Sequence, residues 1–234
     1  MQFFDSLAAV PAGFGPSAVT IGKFDGVHAG HRAVLARLAD LAAPLSLVTT
    51  ALTFDRNPLS LLKPEVCPVP LVSNAQKVDL LDATGLDALL MVEFTRAFSE
   101  QAPEEFVTSI LVEALHARIV LVGRDFRFGV KGSGTVALLT ELGAQYGFEV
   151  VVMEDVAREG ERRVSSTWVR ELLAEGRVTE DAELLKTAPH AHAICRPDEV
   201  RAAKEPILRW QPPAKADPLP ATRAATTGGP AGAP

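Results

Sequence analysis

The chain has 234 residues, 47% of them hydrophobic and 22% charged, with a formal net charge of −6. That balance fits a folded chain with one full α/β domain and an appendage, and it excludes a partner needing a broad basic face, nucleic acid above all. No apolar run approaches the roughly 18 residues that span a bilayer, the start Met1-Gln2-Phe3-Phe4-Asp5-Ser6 lacks a basic leader, and Cys67 and Cys195 stand alone; the expectation is a cytoplasmic protein without membrane contact or structural disulfide.

The first element is an apolar strand over about 17–22 that runs through Gly22-Lys23-Phe24-Asp25-Gly26-Val27 into His28-Ala29-Gly30-His31. Exposed N–H groups and the positive end of the dipole make such a helix start favourable for phosphate. Gly30 permits close approach of a nucleotide to the backbone, and His28 and His31 flank the opening as donors. Val34, Leu35, Leu38 and Leu41 carry the helix at apolar spacing until Pro44 stops it. The run Leu45 to Phe54 reads as a strand covered on both faces, completing a βαβ unit.

Thr53-Phe54-Asp55-Arg56-Asn57-Pro58 then falls at the carboxyl edge of the sheet, where ligands bind; an Asx turn before Pro58 is the plainer alternative. Ser73 is an N-cap for an amphipathic helix through Lys77 and Leu81 that ends at Gly85. A strand from Asp87 to Phe94 follows, and Pro103-Glu104-Glu105-Phe106 starts a helix reaching about His116, with His116 a partner for the helix dipole rather than a ligand.

The strand Ala117 to Val122 leads into Gly123-Arg124-Asp125-Phe126-Arg127-Phe128-Gly129, where period 2 puts Phe126 and Phe128 on one side and Asp125 and Arg127 on the other. A loop that exposes aromatics suits a flat ring, although core packing accounts for one of the two. A helix from Thr135 to Tyr146 and a strand from Phe148 to Glu154 complete five alternating strands, which argues for a doubly wound parallel sheet. Val164-Ser165-Ser166-Thr167-Trp168-Val169-Arg170 forms a second anion cradle of capping hydroxyls and a guanidinium one turn later. Helices Trp168–Glu175 and Glu180–Lys186 follow. From Gln211 the composition is Pro-, Ala- and Gly-rich and predicts a disordered tail.

Three of these segments together resemble the prokaryotic FAD synthetases, the FMN adenylyltransferase module usually fused to a riboflavin kinase. They are Gly-Lys-Phe-Asp-Gly-Val-His-x-Gly-His, Gly-x-Asp-Phe-x-Phe-Gly and Ser-Ser-Thr-x-x-Arg, in the family's order. The resemblance covers about 17–187 and implies a Rossmann-like nucleotidylyltransferase fold of about five strands over 1–187, a short extension over 188–210 and a tail over 211–234. Too few residues follow Leu185 for the family's kinase barrel.

The resemblance further implies adenylyl transfer from ATP to FMN, giving FAD and pyrophosphate. ATP would lie on Gly22, Lys23, Phe24, Asp25, Gly26, His28, Gly30, His31, Ser165, Ser166, Thr167 and Arg170, with His28, His31 and Arg170 as the catalytic set. The flavin would border Phe54, Asn57, Asp125, Phe126 and Phe128, and Mg2+ would accompany the phosphates. The chain departs from the family in four places: Lys23 stands for Asn, Arg56 and Asn57 for a Pro-His pair, Gly132 and Thr135 for Arg and Asp, and Trp168 for Arg. These departures leave open a different acceptor, or binding of a flavin or nucleotide without turnover.

Overall fold

Alternation within the central strands assigns their side chains to two separate cores. The computed structural model describes residues 1–153 and 165–175. Strands β1 (Gln2–Phe4), β2 (Ser17–Ile21), β3 (Val48–Phe54), β4 (Ala88–Val92), β5 (Ala117–Gly123) and β6 (Glu149–Met153) form one parallel sheet in the order β1-β4-β3-β2-β5-β6. Val19, Leu52, Leu90 and Val120 point into one core; Ala18, Ala51, Leu89 and Leu121 point into the other.

The second core is closed by helices α1 (Ala29–Ala42) and α3 (Asn74–Asp82) through Leu35, Leu38 and Leu81. The first is closed by helix α5 (Pro103–Phe106), its continuation Val107–Ala114, and helix α6 (Val136–Tyr146), through Phe106, Ile110, Leu111, Leu139 and Leu142. Full burial of each such leucine stabilises the fold by about 1.5–3 kcal/mol, so the sheet is doubly wound because it has two oily faces to cover.

The sheet has six strands where five were expected. The extra one, β1, pairs with β4 and is too short to show alternation, yet it buries Phe4. β3 begins three residues later than expected because Ala43–Leu45 forms a tight turn that Ser46 leaves in a left-handed conformation (φ 52°). The helix after Pro103 widens into π-geometry over Val107–Ala114. There the hydroxyls of Thr108 and Ser109 donate to the carbonyls of Glu104 and Glu105, competing with the regular ladder. His116 does not serve the helix dipole: left-handed backbone (φ 45°) sends its ring to the Phe14 carbonyl, 2.7 Å away.

Between β3 and α3 the chain makes a short helix α2 (Leu59–Leu62) and a Pro-punctuated strap over 63–72. Helices α4 (Arg96–Ser99) and α7 (Ser166–Ala174) complete the described elements. Among the described residues no helix is long and apolar enough to cross a membrane, and Cys67 is a free thiol. The expected helix Glu180–Lys186, the extension over 188–210 and the tail over 211–234 lie outside the described residues.

In the order β1-β4-β3-β2-β5-β6 the chain winds outward from β2 in one direction and returns to start the other half at β5. The loops leaving β2 and β5 therefore diverge, opening a crevice at the carboxyl edge between them.

Candidate active site

The loop from β2 to α1 is held in an unusual shape. Phe24 (φ 47°) and Val27 (φ 41°) both adopt left-handed backbone, with Gly26 (φ 81°) between them. For non-glycine residues this costs of order 1–3 kcal/mol each, and near-complete burial of both side chains offsets it. A Cβ on Gly22 would stand 3.1 Å from the Phe24 ring, so that ring lies back over the loop's own start. The strained turn delivers His28 to the N-cap of α1.

His28 is buried, and its Nδ1 accepts the His31 backbone N–H at 3.4 Å, which in the neutral ring leaves the proton on Nε2. The two imidazoles stack with centroids 3.8 Å apart, and Phe24 packs against the far side of His31 at 5.2 Å. His31 Nδ1 is buried and makes no hydrogen bond among the described residues. Burial, followed by the charges of His28, Lys23 and Lys77, holds His31 well below the usual histidine value. It is a neutral imidazole with an unused ring atom, a donor or acceptor kept in reserve.

Asp25 ties this loop to the rest of the site. Its carboxylate pairs with Arg170 of α7 and accepts the Leu71 backbone N–H at 2.8 Å, and its carbonyl accepts from the Ser166 hydroxyl at 3.0 Å. Arg170 also donates to the carbonyls of Val69 (2.8 Å) and Ser166 (3.1 Å). The guanidinium is thus fixed, as a bracket that locks α7, the Asp25 turn and the strap together. Ser165 caps α7 by accepting the Trp168 N–H, Ser166 anchors Asp25, and Thr167 is exposed. The three expected capping hydroxyls divide into one cap, one anchor and one exposed group.

A cleft of about 220 Å³ opens beside this network, lined by Lys23, Asp25, Asp55, Arg56, Asn57, Asn74 and Lys77, with Pro68, Pro70 and Val72 of the strap. Lys23 is exposed, and its carbonyl accepts from Thr53 at 3.2 Å. Asp55 accepts the Phe94 N–H and pairs with Arg56, whose own value it raises. Arg56 is therefore held by its neighbour while lining the cleft. Asn57 makes the plainer of the two expected arrangements, an Asx turn to the Leu59 N–H at 3.1 Å, while still lining the cleft.

The aromatic side differs from the expected exposed pair. Phe126 and Phe128 do share a side and stack at 5.5 Å, but Phe128 is buried in the core and only Phe126 remains half-exposed. The reason is the loop's closure: Phe128 and Gly134 exchange backbone hydrogen bonds at 3.2 and 2.8 Å, and a Cβ on Gly134 would meet the Phe128 ring at 2.8 Å. Asp125 is exposed. Edge-to-face contacts run from Phe54 through Phe98 to Phe106 and a tilted contact continues to Phe128, so the two segments expected at the flavin are ends of one aromatic ridge. Thr135, standing for an acid, caps α6 through the Leu138 N–H at 3.2 Å.

Lys77 is the group whose place in the site was not foreseen. It is the fourth residue of the Ser73-capped helix α3, and it is only 6% exposed and lines the cleft. The signal was available in Lys77 standing four residues after the Ser73 cap, at a helix start facing the carboxyl edge. Among the described residues no three His, Cys, Asp or Glu side chains converge on a metal position.

A family model described as FAD synthetase matches residues 12–168. Three curated relatives are bifunctional riboflavin kinase/FMN adenylyltransferases. That of Buchnera aphidicola (strain Sg) is 33% identical over 169 residues, covering 72% of this chain and 54% of that protein. That of Escherichia coli K12 is 36% identical, with 71% and 53% covered, and that of Listeria monocytogenes is 37% identical, with 71% and 52% covered. The chain spans about half the length of the curated relatives it matches. A crystal structure described as a macrolide-efflux protein from Streptococcus pneumoniae shares the fold, with a TM-score of 0.66 at 24% identity, covering 80% of this chain and 61% of that one.

Proposed function

The chain belongs to the FAD synthetase family, and we propose that it transfers the adenylyl group of ATP to FMN, releasing pyrophosphate. The observation that carries this reading is that the start of α7, bearing Ser166 and Arg170, is fixed through Asp25 to the loop after β2 that delivers His28 and His31 to the start of α1. Two positive helix ends and several cations around one crevice suit a polyphosphate.

In this reaction an oxygen of the FMN phosphate bonds to the α-phosphorus of ATP, and the bond to the bridging oxygen breaks, its electron pair leaving with pyrophosphate. No protein nucleophile is needed, so positioning and charge stabilisation are the whole task. A neutral His31 with an unused nitrogen, backed by the Phe24 ring, supplies a hydrogen-bonding group that can strengthen as charge moves on the phosphorus. The ridge ending at Phe54 and Phe126 gives the isoalloxazine ring a surface to lie against.

Mg2+ belongs to the proposal as a companion of the triphosphate. Asp25 and Asp55, the carboxylates lining the cleft, are engaged by Arg170 and Arg56, and the chain offers no ready cage among its described residues. Magnesium commonly binds through substrate phosphates with few protein ligands. A cytoplasmic place of action, where ATP and FMN are both present, is part of the same reading.

The test is pyrophosphate release and FAD formation from FMN and MgATP, with Lys23→Asn run beside the wild type. The expected result is FAD from both. An ammonium at position 23 attracts ground-state ATP and transition state alike, so it tightens binding without accelerating chemistry. Tight binding with no FAD from the wild type would overturn the enzyme reading, and turnover of another acceptor would redirect it.

A further inference from the structure

Lys77 is buried at 6% exposure in the wall of the cleft, and an ammonium carries three donors. Among the described residues its Nζ makes one hydrogen bond, to the Phe54 carbonyl at 2.9 Å. A buried lysine with donors to spare is costly unless an anion completes its shell. Burial pushes its pKa down, while the nearby carboxylates of Asp25 and Asp55 act against that shift. Both carboxylates already have nearer partners in Arg170 and Arg56, at the hydrogen-bond contacts described above.

The position is also specific. Through its Nζ bond Lys77 touches the end of β3 at Phe54, the residue at the head of the aromatic ridge, and its charge is felt at His31. The cleft around it, about 220 Å³, is smaller than the roughly 300–1000 Å³ that enclose a whole small ligand, so it suits one end of a ligand. Resting on the adenylyl-transfer reading, we propose that Lys77 binds the phosphate monoester of the acceptor, holding the attacking oxygen between the flavin ridge and the His28/His31 helix start. Lys77 is then a substrate-contacting residue that selects a phosphorylated flavin over the free one.

The experiment is calorimetric titration of wild type, Lys77→Met and Lys77→Arg with FMN, with riboflavin, which has no phosphate, and with ATP. Loss of one charge-assisted contact predicts that Lys77→Met weakens FMN by roughly 10- to 100-fold. Riboflavin and ATP should change by less than about 3-fold, and Lys77→Arg should recover part of the FMN affinity. Lys77→Gln keeps a donor for the Phe54 carbonyl without the charge, and it reports the same contrast if Lys77→Met does not fold. Equal weakening of FMN and riboflavin would make Lys77 a structural support and overturn the proposal. A loss confined to ATP would assign it to the nucleotide and overturn it as well. Wild-type binding of FMN with no change in the variants sinks this inference alone, whereas a wild type that binds neither FMN nor ATP sinks the adenylyltransferase reading and this inference with it.

Discussion

Removing the Asp25 carboxylate tests whether the site is held by one bracket. Asp25 and Arg170 are 18% and 22% exposed, so their pairing is sheltered from solvent and is not a surface ion pair. Asp25→Ala deletes two charge-assisted contacts, to Arg170 and to the Leu71 N–H, each contributing about 1.5–3 kcal/mol. Because contacts within one network are not additive, the expected cost is about 3–5 kcal/mol. At roughly 2–4 °C per kcal/mol for a chain of this size, that lowers the melting temperature by about 6–20 °C. Asp25→Asn keeps an acceptor for Leu71 but no charge for Arg170, and about half the loss, roughly 1.5–2.5 kcal/mol, is expected. Denaturant unfolding of both variants, combined with Arg170→Ala in a double-mutant cycle, measures the coupling directly. A cost below about 1 kcal/mol for Asp25→Ala, or no coupling to Arg170, would place the pair among ordinary surface salt bridges and refute the bracket.

His31→Ala should reduce turnover by roughly 10²–10³-fold with the fold intact, since it removes a group that acts on the reacting phosphate; steady-state FAD formation with circular dichroism checks both halves. The depressed His31 value makes a pH prediction: the unfolded histidine titrates near pH 6.5 and the folded one lower, so its contribution is complete above about 6.5 and is lost as pH falls toward the folded value. His31→Gln should flatten that part of the stability profile. Thr135→Ala should cost about 1 kcal/mol through the lost cap and Thr135→Asp almost nothing, read from urea midpoints. Gly129 and Gly85 both have positive φ, but a Cβ on Gly129 would sit 2.8 Å from the Pro103 backbone and one on Gly85 meets nothing within 4 Å. Alanine is therefore expected to cost about 2–5 kcal/mol at position 129 and only about 1–2 at 85, and equal losses would show that the Pro103 contact yields.

The alternation of apolar strands with amphipathic helices was enough to specify a doubly wound parallel sheet, because hydrophobic period is a local property that each segment carries in its own residues. The His28-x-Gly30-His31 start, the Ser165 cap and the pairing of Phe126 with Phe128 on one side were legible for the same reason: caps and period-2 faces depend on neighbours within a few positions. Strand β1 was not legible, since three residues at a chain end acquire strand geometry only by pairing with β4. What each polar side chain does was decided by contacts that no local pattern contains. That Arg170 is fixed by Asp25, 145 positions away, and Arg56 by Asp55 with Glu93 nearby is visible only once the chain is folded. Lys77 reads only as part of an amphipathic helix, yet packing of α3 against the end of β3 buries it at the Phe54 carbonyl. Charge pairing and desolvation are set by distance in space, and only the closed sheet brings those groups within range.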